Sequence, residues 1–188
     1  MNSKARILLY ANYLNFFGIA FFTPLFALFV ADINAGPEMV GIAWAVNMYA
    51  AALMIIVFGK YEDHIKNKEK LVVVGYFLMA AGAASYLLVS SLGELFAVQL
   101  FNAIGVGILT PAWRTVYAKS EDRGKETEEW AFMEGGNRFF IATGAIIGGF
   151  ILKYYSFKVI FVVMAVLQLI AAFVAMQLLQ PKASAAKE

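Results

Sequence analysis

The chain has 188 residues, of which 62% are apolar and 15% charged, with a net charge of +2 and no cysteine; its mean hydropathy is +0.71. A soluble domain is about half apolar and about a quarter charged, so this composition excludes a soluble globular domain and a disordered chain. The lack of cysteine excludes a disulfide scaffold and a cysteine-ligated metal site, and basic residues scattered over short loops make no nucleic-acid stripe.

Uncharged runs define the predicted elements. In chain order they are Ile7 to Ala31, Met39 to Gly59, Leu71 to Gly93, Leu95 to Trp113, Phe139 to Leu152, and Val159 to Pro181. A helix needs about 20 apolar residues to cross a hydrocarbon core of about 30 Å. Five runs suffice alone. The fifth in order reaches spanning length only if it starts near Trp130 and carries Glu134 and Arg138 into the bilayer. The expected fold class is therefore all-α: a polytopic membrane protein with six transmembrane helices and a single six-helix domain over 1–188. The first run is too long, and its flank too poor in cleavage-site features, for a signal peptide.

Basic residues set the expected orientation. With both ends inside, one side holds Lys4, Arg6, Lys60, Lys66, Lys68, Lys70, Arg114, Lys119, Arg123, Lys125, Lys182 and Lys187. The other side holds only Lys153 and Lys158. The prediction is a multi-pass protein of the inner or plasma membrane with both termini cytoplasmic. The outer loops, Asp32 to Glu38 and Ser90 to Glu94, are short enough to force tight antiparallel neighbours, and the longest connection, Lys119 to Glu129, is cytoplasmic.

A shift of ninety residues superposes the first three helices on the last three. Asn12 then falls on Asn102, Asn47 on Asn137 and Gly59 on Gly149. Three is odd, so the second copy (about 91–188) enters from the opposite side to the first (about 1–90). That is an inverted-topology repeat, a construction of secondary transporters. Chance coincidence among apolar helices is the competing explanation.

Polar residues inside the spans are few: Asn12 and Asn15 on one face of the first helix, Asn47 on the second, and Gln99 and Asn102 on the fourth. Glu134, Asn137 and Arg138 share one face of the fifth. From Trp130, Arg138 lies about 12 Å along the helix axis, and an ionised group at such depth costs at least about 2.5 kcal/mol unless paired or wetted. Two readings follow: a substrate- or ion-facing site, or a neutralised pair that glues helices. The amides likewise either line a cavity or make interhelical hydrogen bonds. Enzyme readings find no support. The lone His64 sits in a charged loop, with no Ser–His pair inside a span and no metal-ligand spacing or phosphate loop. No cofactor is expected, and no metal or nucleic-acid partner.

The loop Gly59-Lys60-Tyr61-Glu62-Asp63-His64-Ile65-Lys66-Asn67-Lys68 resembles the major facilitator superfamily signature between its second and third helices. His64 stands where Arg or Lys is usual and Lys66 where a second Gly is usual. Gln99 to Gly107 followed by Pro111 is similar to the family's fourth-helix pattern, with Gln99 in place of the usual Arg. Gly144-Ala145-Ile146-Ile147-Gly148-Gly149 resembles the exporter-type fifth-helix motif without its Pro, and Phe157 to Phe161 the start of the family's sixth helix. The resemblance covers the whole chain but half of the usual twelve helices. It implies a secondary-active transporter of a small solute, with Gly59 and Asp63 latching one half to the other. A six-helix half can rebuild the fold as a twofold homodimer around a cavity lined mainly by the first and fourth helices. The alternatives are an N-terminal half of a longer transporter and a non-transport six-helix scaffold.

Overall fold

The computed structural model describes residues 1–180. Its helices are α1 (Ser3–Ala20), α2 (Phe26–Asp32), α3 (Pro37–Glu62), α4 (Lys68–Ser85), α5 (Leu92–Ala118), α6 (Glu126–Tyr154) and α7 (Phe157–Met176), with short 3₁₀ turns at Thr23–Leu25, Tyr86–Leu88 and Gln177–Leu179. There is no strand among the described residues. With α1 and α2 joined, six segments are long and apolar enough to cross a membrane.

Local chemistry fixes the helix ends. Asn2 caps α1 by accepting from the Lys4 amide at 3.2 Å. Pro37 begins α3 after Gly36, where its missing N–H costs nothing. Ser91 caps α5 by accepting from the Glu94 amide, while the Glu94 carboxylate accepts from the Ser90 amide at 2.7 Å, a reciprocal arrangement close to a capping box. The connections are consequently shorter than the sequence runs imply: helix resumes at Leu92 rather than beyond Glu94, and at Glu126 within the expected Lys119 to Glu129 loop. The first span differs from the expected unbroken run. Pro24 has no N–H and its ring clashes with the preceding turn, so α1 ends at Ala20 and α2 resumes at Phe26. Pro111, by contrast, lies inside α5 without ending it.

α3 packs on α5, α4 on α5 and α7, and α1 on α6 and α7. These neighbour relations are unchanged when α1 is exchanged with α5, α3 with α6 and α4 with α7. One pair of contacts repeats at the same offset as the sequence. A β-carbon on Gly144 would meet the Phe17 carbonyl oxygen at 2.7 Å, and one on Gly107 would collide with Met54; Phe17 and Gly107 are ninety residues apart, as are Met54 and Gly144.

Two apolar cores fill the bundle. One, at the end bearing the N terminus, joins Leu8, Leu9, Tyr76, Trp113 and Tyr117. The other, at the opposite end, gathers Phe22, Phe29, Tyr86 and Phe161 around the break in the first span, with ring centroids 5.0 to 6.2 Å apart. α3 and α6 are the least buried spans, because each packs extensively on one neighbour only. At the N-terminal end, the Met1 ammonium pairs with Asp122. That hydrogen bond raises the amine pKa and lowers that of the Asp122 carboxyl. The basic residues from Lys4 to Lys125 assigned to one side lie at this end, whereas Lys153 and Lys158 lie at the other. Lys182 and Lys187, counted with the former, lie outside the described residues.

Candidate functional site

The packing of α1 on α6 positions the first half of the site. Tyr13, Phe17 and Phe21 recur every four residues along the first span and face Gly136, Gly144 and Gly148 of α6, where a β-carbon would strike the aromatic residue or its backbone. Small residues let membrane helices approach closely. The Tyr13 hydroxyl donates to the Phe132 carbonyl at 3.0 Å, and Asn12 Nδ2 donates to Asn137 Oδ1 at 2.8 Å. Both amides are buried.

Two cavities open along the bundle axis. The larger, about 460 Å³, lies toward the N-terminal end; Asn12, Asn15, Trp113, Arg114, Trp130, Met133, Glu134 and Asn137 contribute to its wall. The smaller, about 190 Å³, lies toward the opposite end and includes Phe26, Trp44, Asn47, Tyr86, Gln99, Asn102 and Gln168. Ile19, Met79 and Val106 line both, so these three apolar side chains form the constriction between them. Each cavity holds one buried amide oxygen without a hydrogen-bond donor, Asn15 Oδ1 in the larger and Gln168 Oε1 in the smaller. An unpaired buried acceptor is costly, and a solute or water donor entering the cavity relieves that cost.

The candidate residues therefore divide into groups. Asn12, Asn15, Glu134 and Asn137 gather on the larger cavity, Asn47, Gln99 and Asn102 on the smaller. Asn47 Nδ2 donates to the Gln99 carbonyl at 3.0 Å, and the Tyr86 hydroxyl donates to Gln99 Oε1 at 3.2 Å. Asn102 Nδ2 bonds back to the Val98 carbonyl, and its side chain occupies the space over Gly82. Arg138 lines neither cavity. It lies one turn beyond Glu134, with Nη2 3.9 Å from Glu134 Oε2. Both side chains point out of the six-helix unit, 81% and 59% exposed respectively. α6 is about 43 Å long at 1.5 Å per residue, so its centre lies near Phe140 and Arg138 sits close to the middle of the helix.

Gly59 presents an open surface: a β-carbon added there would meet nothing within 4 Å. Asp63 is 85% exposed, 3.6 Å from Lys68. The Asp63 ion pair lies within its own hairpin rather than across to another helix as a latch would, and both residues present accessible surface. The structure also brings in residues that sequence reasoning passed over. Gln168 is fully buried; it is an amide inside an apolar run, the same signal that singled out Asn47. Met79, Trp113 and Trp130 carry no such signal, because an apolar side chain on a membrane helix looks the same whether it faces lipid, core or cavity.

The sequence profile of the Major Facilitator Superfamily matches residues 8–188. Over 148 residues the chain is 25% identical to the riboflavin transporter RibZ of Clostridioides difficile, covering 76% of this chain and 31% of that protein. It is 23% identical over 171 residues to the multi-drug resistance efflux pump PmrA of Streptococcus pneumoniae, covering 89% and 42%. It is 26% identical over 137 residues to the proton-coupled antiporter flippase LtaA of Staphylococcus haemolyticus, covering 66% and 34%. Among solved structures, the POT family transporter PepTSo superposes with a TM-score of 0.70 at 14% identity, over 94% of this chain and 37% of that one. The chain thus spans about a third to two fifths of the length of these relatives.

Proposed function

Because this chain belongs to the major facilitator superfamily, we propose that it forms one half of a secondary-active transporter of a small solute. The observation that carries the proposal is the Glu134–Arg138 pair. Two opposite charges stand deep in a span on the open face of the unit, beside a cavity that also holds exposed Arg114. Facing lipid, each would cost about 2.5 to 3.5 kcal/mol. Facing a water-filled pathway they are solvated, and they meet the solute.

In this reading the open face is closed by a second six-helix unit, with Gly59 and Asp63 at the contact, and rocking of the two units gives alternating access. A second copy of the chain supplies that unit in a homodimer. The second reading, in which the chain is the N-terminal half of a twelve-helix transporter, is supported by the length of its relatives, of which it spans at most 42%. Both termini are cytoplasmic, and the two three-helix repeats meet near residue 90. The solute is amphipathic: Trp113, Trp130, Met79 and Met133 supply an apolar wall and Asn15 an acceptor. Riboflavin, drugs and a flippase cargo, the substrates of the relatives, fit that class.

Reconstitution in liposomes tests the function, with riboflavin and ethidium as probe solutes. Protein-dependent flux is expected, and Val106→Trp should abolish it by filling the constriction while the protein still folds. No flux of any tested solute, from protein that is folded and assembled in lipid, would favour the scaffold reading.

A further inference from the structure

A third cavity, of about 480 Å³, lies at the N-terminal end of the bundle and shares no residue with the two axial cavities. We propose that it is a binding site for a phosphate-bearing anion. Four lysines from three separate elements converge on it: Lys4 in the first turn of α1, Lys66 and Lys68 where α4 begins, and Lys119 at the end of α5. Asp63 and Glu69 are the carboxylates in its wall, which leaves two positive charges in excess.

The pairing within the wall identifies the uncommitted donors. Lys4 Nζ is 2.5 Å from Glu69 Oε1. Lys68 Nζ donates to the Glu62 carbonyl oxygen at 2.5 Å and lies 3.6 Å from Asp63. Lys66 and Lys119 have no carboxylate within 4.0 Å among the described residues. Asn2 uses its carbonyl oxygen to cap α1, so its NH₂ group remains available, and the Thr115 hydroxyl adds a donor. The amino end of α4, whose Asn67 makes no side-chain cap, directs its positive dipole end to the same region. Membrane orientation requires lysines on this side of the bilayer but places no demand that they face one cavity. Convergence of four cations with few counter-charges is what a dianionic or monoanionic phosphate group satisfies.

Every contributing residue lies within about a turn of a helix end. That is the level of lipid headgroups, where basic pockets between spanning helices take anionic lipids. A soluble phosphate ester offers the same chemistry, and the experiment separates the two sources. Purified full chain in neutral detergent is titrated with short-chain phosphatidylglycerol, with phosphatidylcholine and with inorganic phosphate, and bound adducts are counted by native mass spectrometry. Lys66→Gln with Lys119→Gln is compared with Lys60→Gln and Lys70→Gln, which remove the same charge from exposed positions outside the cavity. The expected result is saturable phosphatidylglycerol binding, weakened about tenfold in the first double variant and unchanged in the second, with phosphatidylcholine inert. Binding of inorganic phosphate alone with the same variant pattern assigns the site to a soluble ester. Equal loss in both double variants, or no loss in the first while both elute as folded protein, overturns the proposal.

Discussion

Asn12 on α1 and Asn137 on α6 share a side-chain hydrogen bond of 2.8 Å across 125 residues of sequence. Both side chains are buried, so neither amide has an alternative partner of equal quality; Asn137 Nδ2 otherwise meets only the Met133 sulfur, at 3.1 Å. Interhelical hydrogen bonds in membranes contribute about 0.6 kcal/mol on average and up to about 1.7. Asn12→Ala and Asn137→Ala should each destabilise by about 0.5 to 2 kcal/mol. Together they should cost less than the sum of the two. Unfolding in mixed detergent micelles measures this, and strict additivity would mean that the two residues are not coupled.

Glycines of this chain fall into two groups that should respond oppositely to the same substitution. At Gly144 and Gly148 a β-carbon meets backbone of the first span, and at Gly107 it meets Met54. Alanine there forces helices apart and should cost about 1 to 3 kcal/mol each. Gly59 and Gly149 have nothing within 4 Å, and alanine should leave the unit's stability within about 1 kcal/mol, or raise it by removing backbone freedom. Thermal unfolding of the five variants checks the contrast. Leucine at Gly59 carries the test further: the unit should still fold, and its association with a second unit should fail.

Much of the architecture is legible in the sequence because hydropathy alone sets it. Five long runs and a fourteen-residue run extended back to Trp130 give six spans, whereas the helix starts at Pro37 and Leu92 fall inside segments that read as outer loops. The break at Pro24 is hidden, since a run of 25 uncharged residues reads as one helix and the aromatic cluster that stabilises the bend comes from distant segments. Helical period places Asn12 and Asn15 on one face but does not say that Asn137 is the neighbour. The division of the polar residues between two cavities depends on Ile19, Met79 and Val106, whose side chains have no polar signature. Glu134 and Arg138 are legible as a pair at i, i+4; their outward direction is not, because it depends on which face of α6 packs against α1.

Orientation is tested without background, since the chain has no cysteine of its own. Ser3 and Gly93 are exposed at opposite ends of the bundle, and a β-carbon at Gly93 meets nothing. In intact cells a membrane-impermeant maleimide should label Gly93→Cys and spare Ser3→Cys until the membrane is opened. Ser184→Cys, outside the described residues, should behave as Ser3→Cys does. Labelling of Ser3→Cys from outside reverses the assignment.

Asp63 makes one ion pair, with Lys68 at 3.6 Å, and is 85% exposed at the edge of the lysine-lined cavity. An exposed pair of this kind contributes little to folding, on the order of 0 to 1 kcal/mol. Asp63→Asn should therefore leave the thermal stability of the isolated unit unchanged while weakening its association with a second unit in lipid. Native mass measurement from nanodiscs reads the oligomer directly. A wild-type chain that remains monomeric at high protein density in lipid removes the homodimer and leaves the half-transporter reading.

The Glu134–Arg138 pair separates a structural from a functional role. The two side chains are 3.9 Å apart, both directed away from the six-helix unit, so they do not hold its own helices together. Removing one leaves an uncompensated charge deep in the bilayer, at about 2.5 to 3.5 kcal/mol if lipid surrounds it. Removing both leaves a neutral face. A pair that only neutralises itself predicts that each of Glu134→Gln and Arg138→Gln impairs folding and that the double variant recovers both folding and flux. A pair that faces the solute predicts recovered folding with flux still lost, by at least about tenfold, because Arg138 is needed as a cation for an anionic group on the solute or Glu134 as a proton carrier. The pH profile then distinguishes these two. Flux through a protonating Glu134 depends on pH in the parent protein and loses that dependence in Glu134→Gln, whereas an Arg138–anion contact leaves the profile in place and raises KM in Arg138→Gln. Normal flux in the double variant would leave Glu134 and Arg138 with electrostatic neutrality as their whole role.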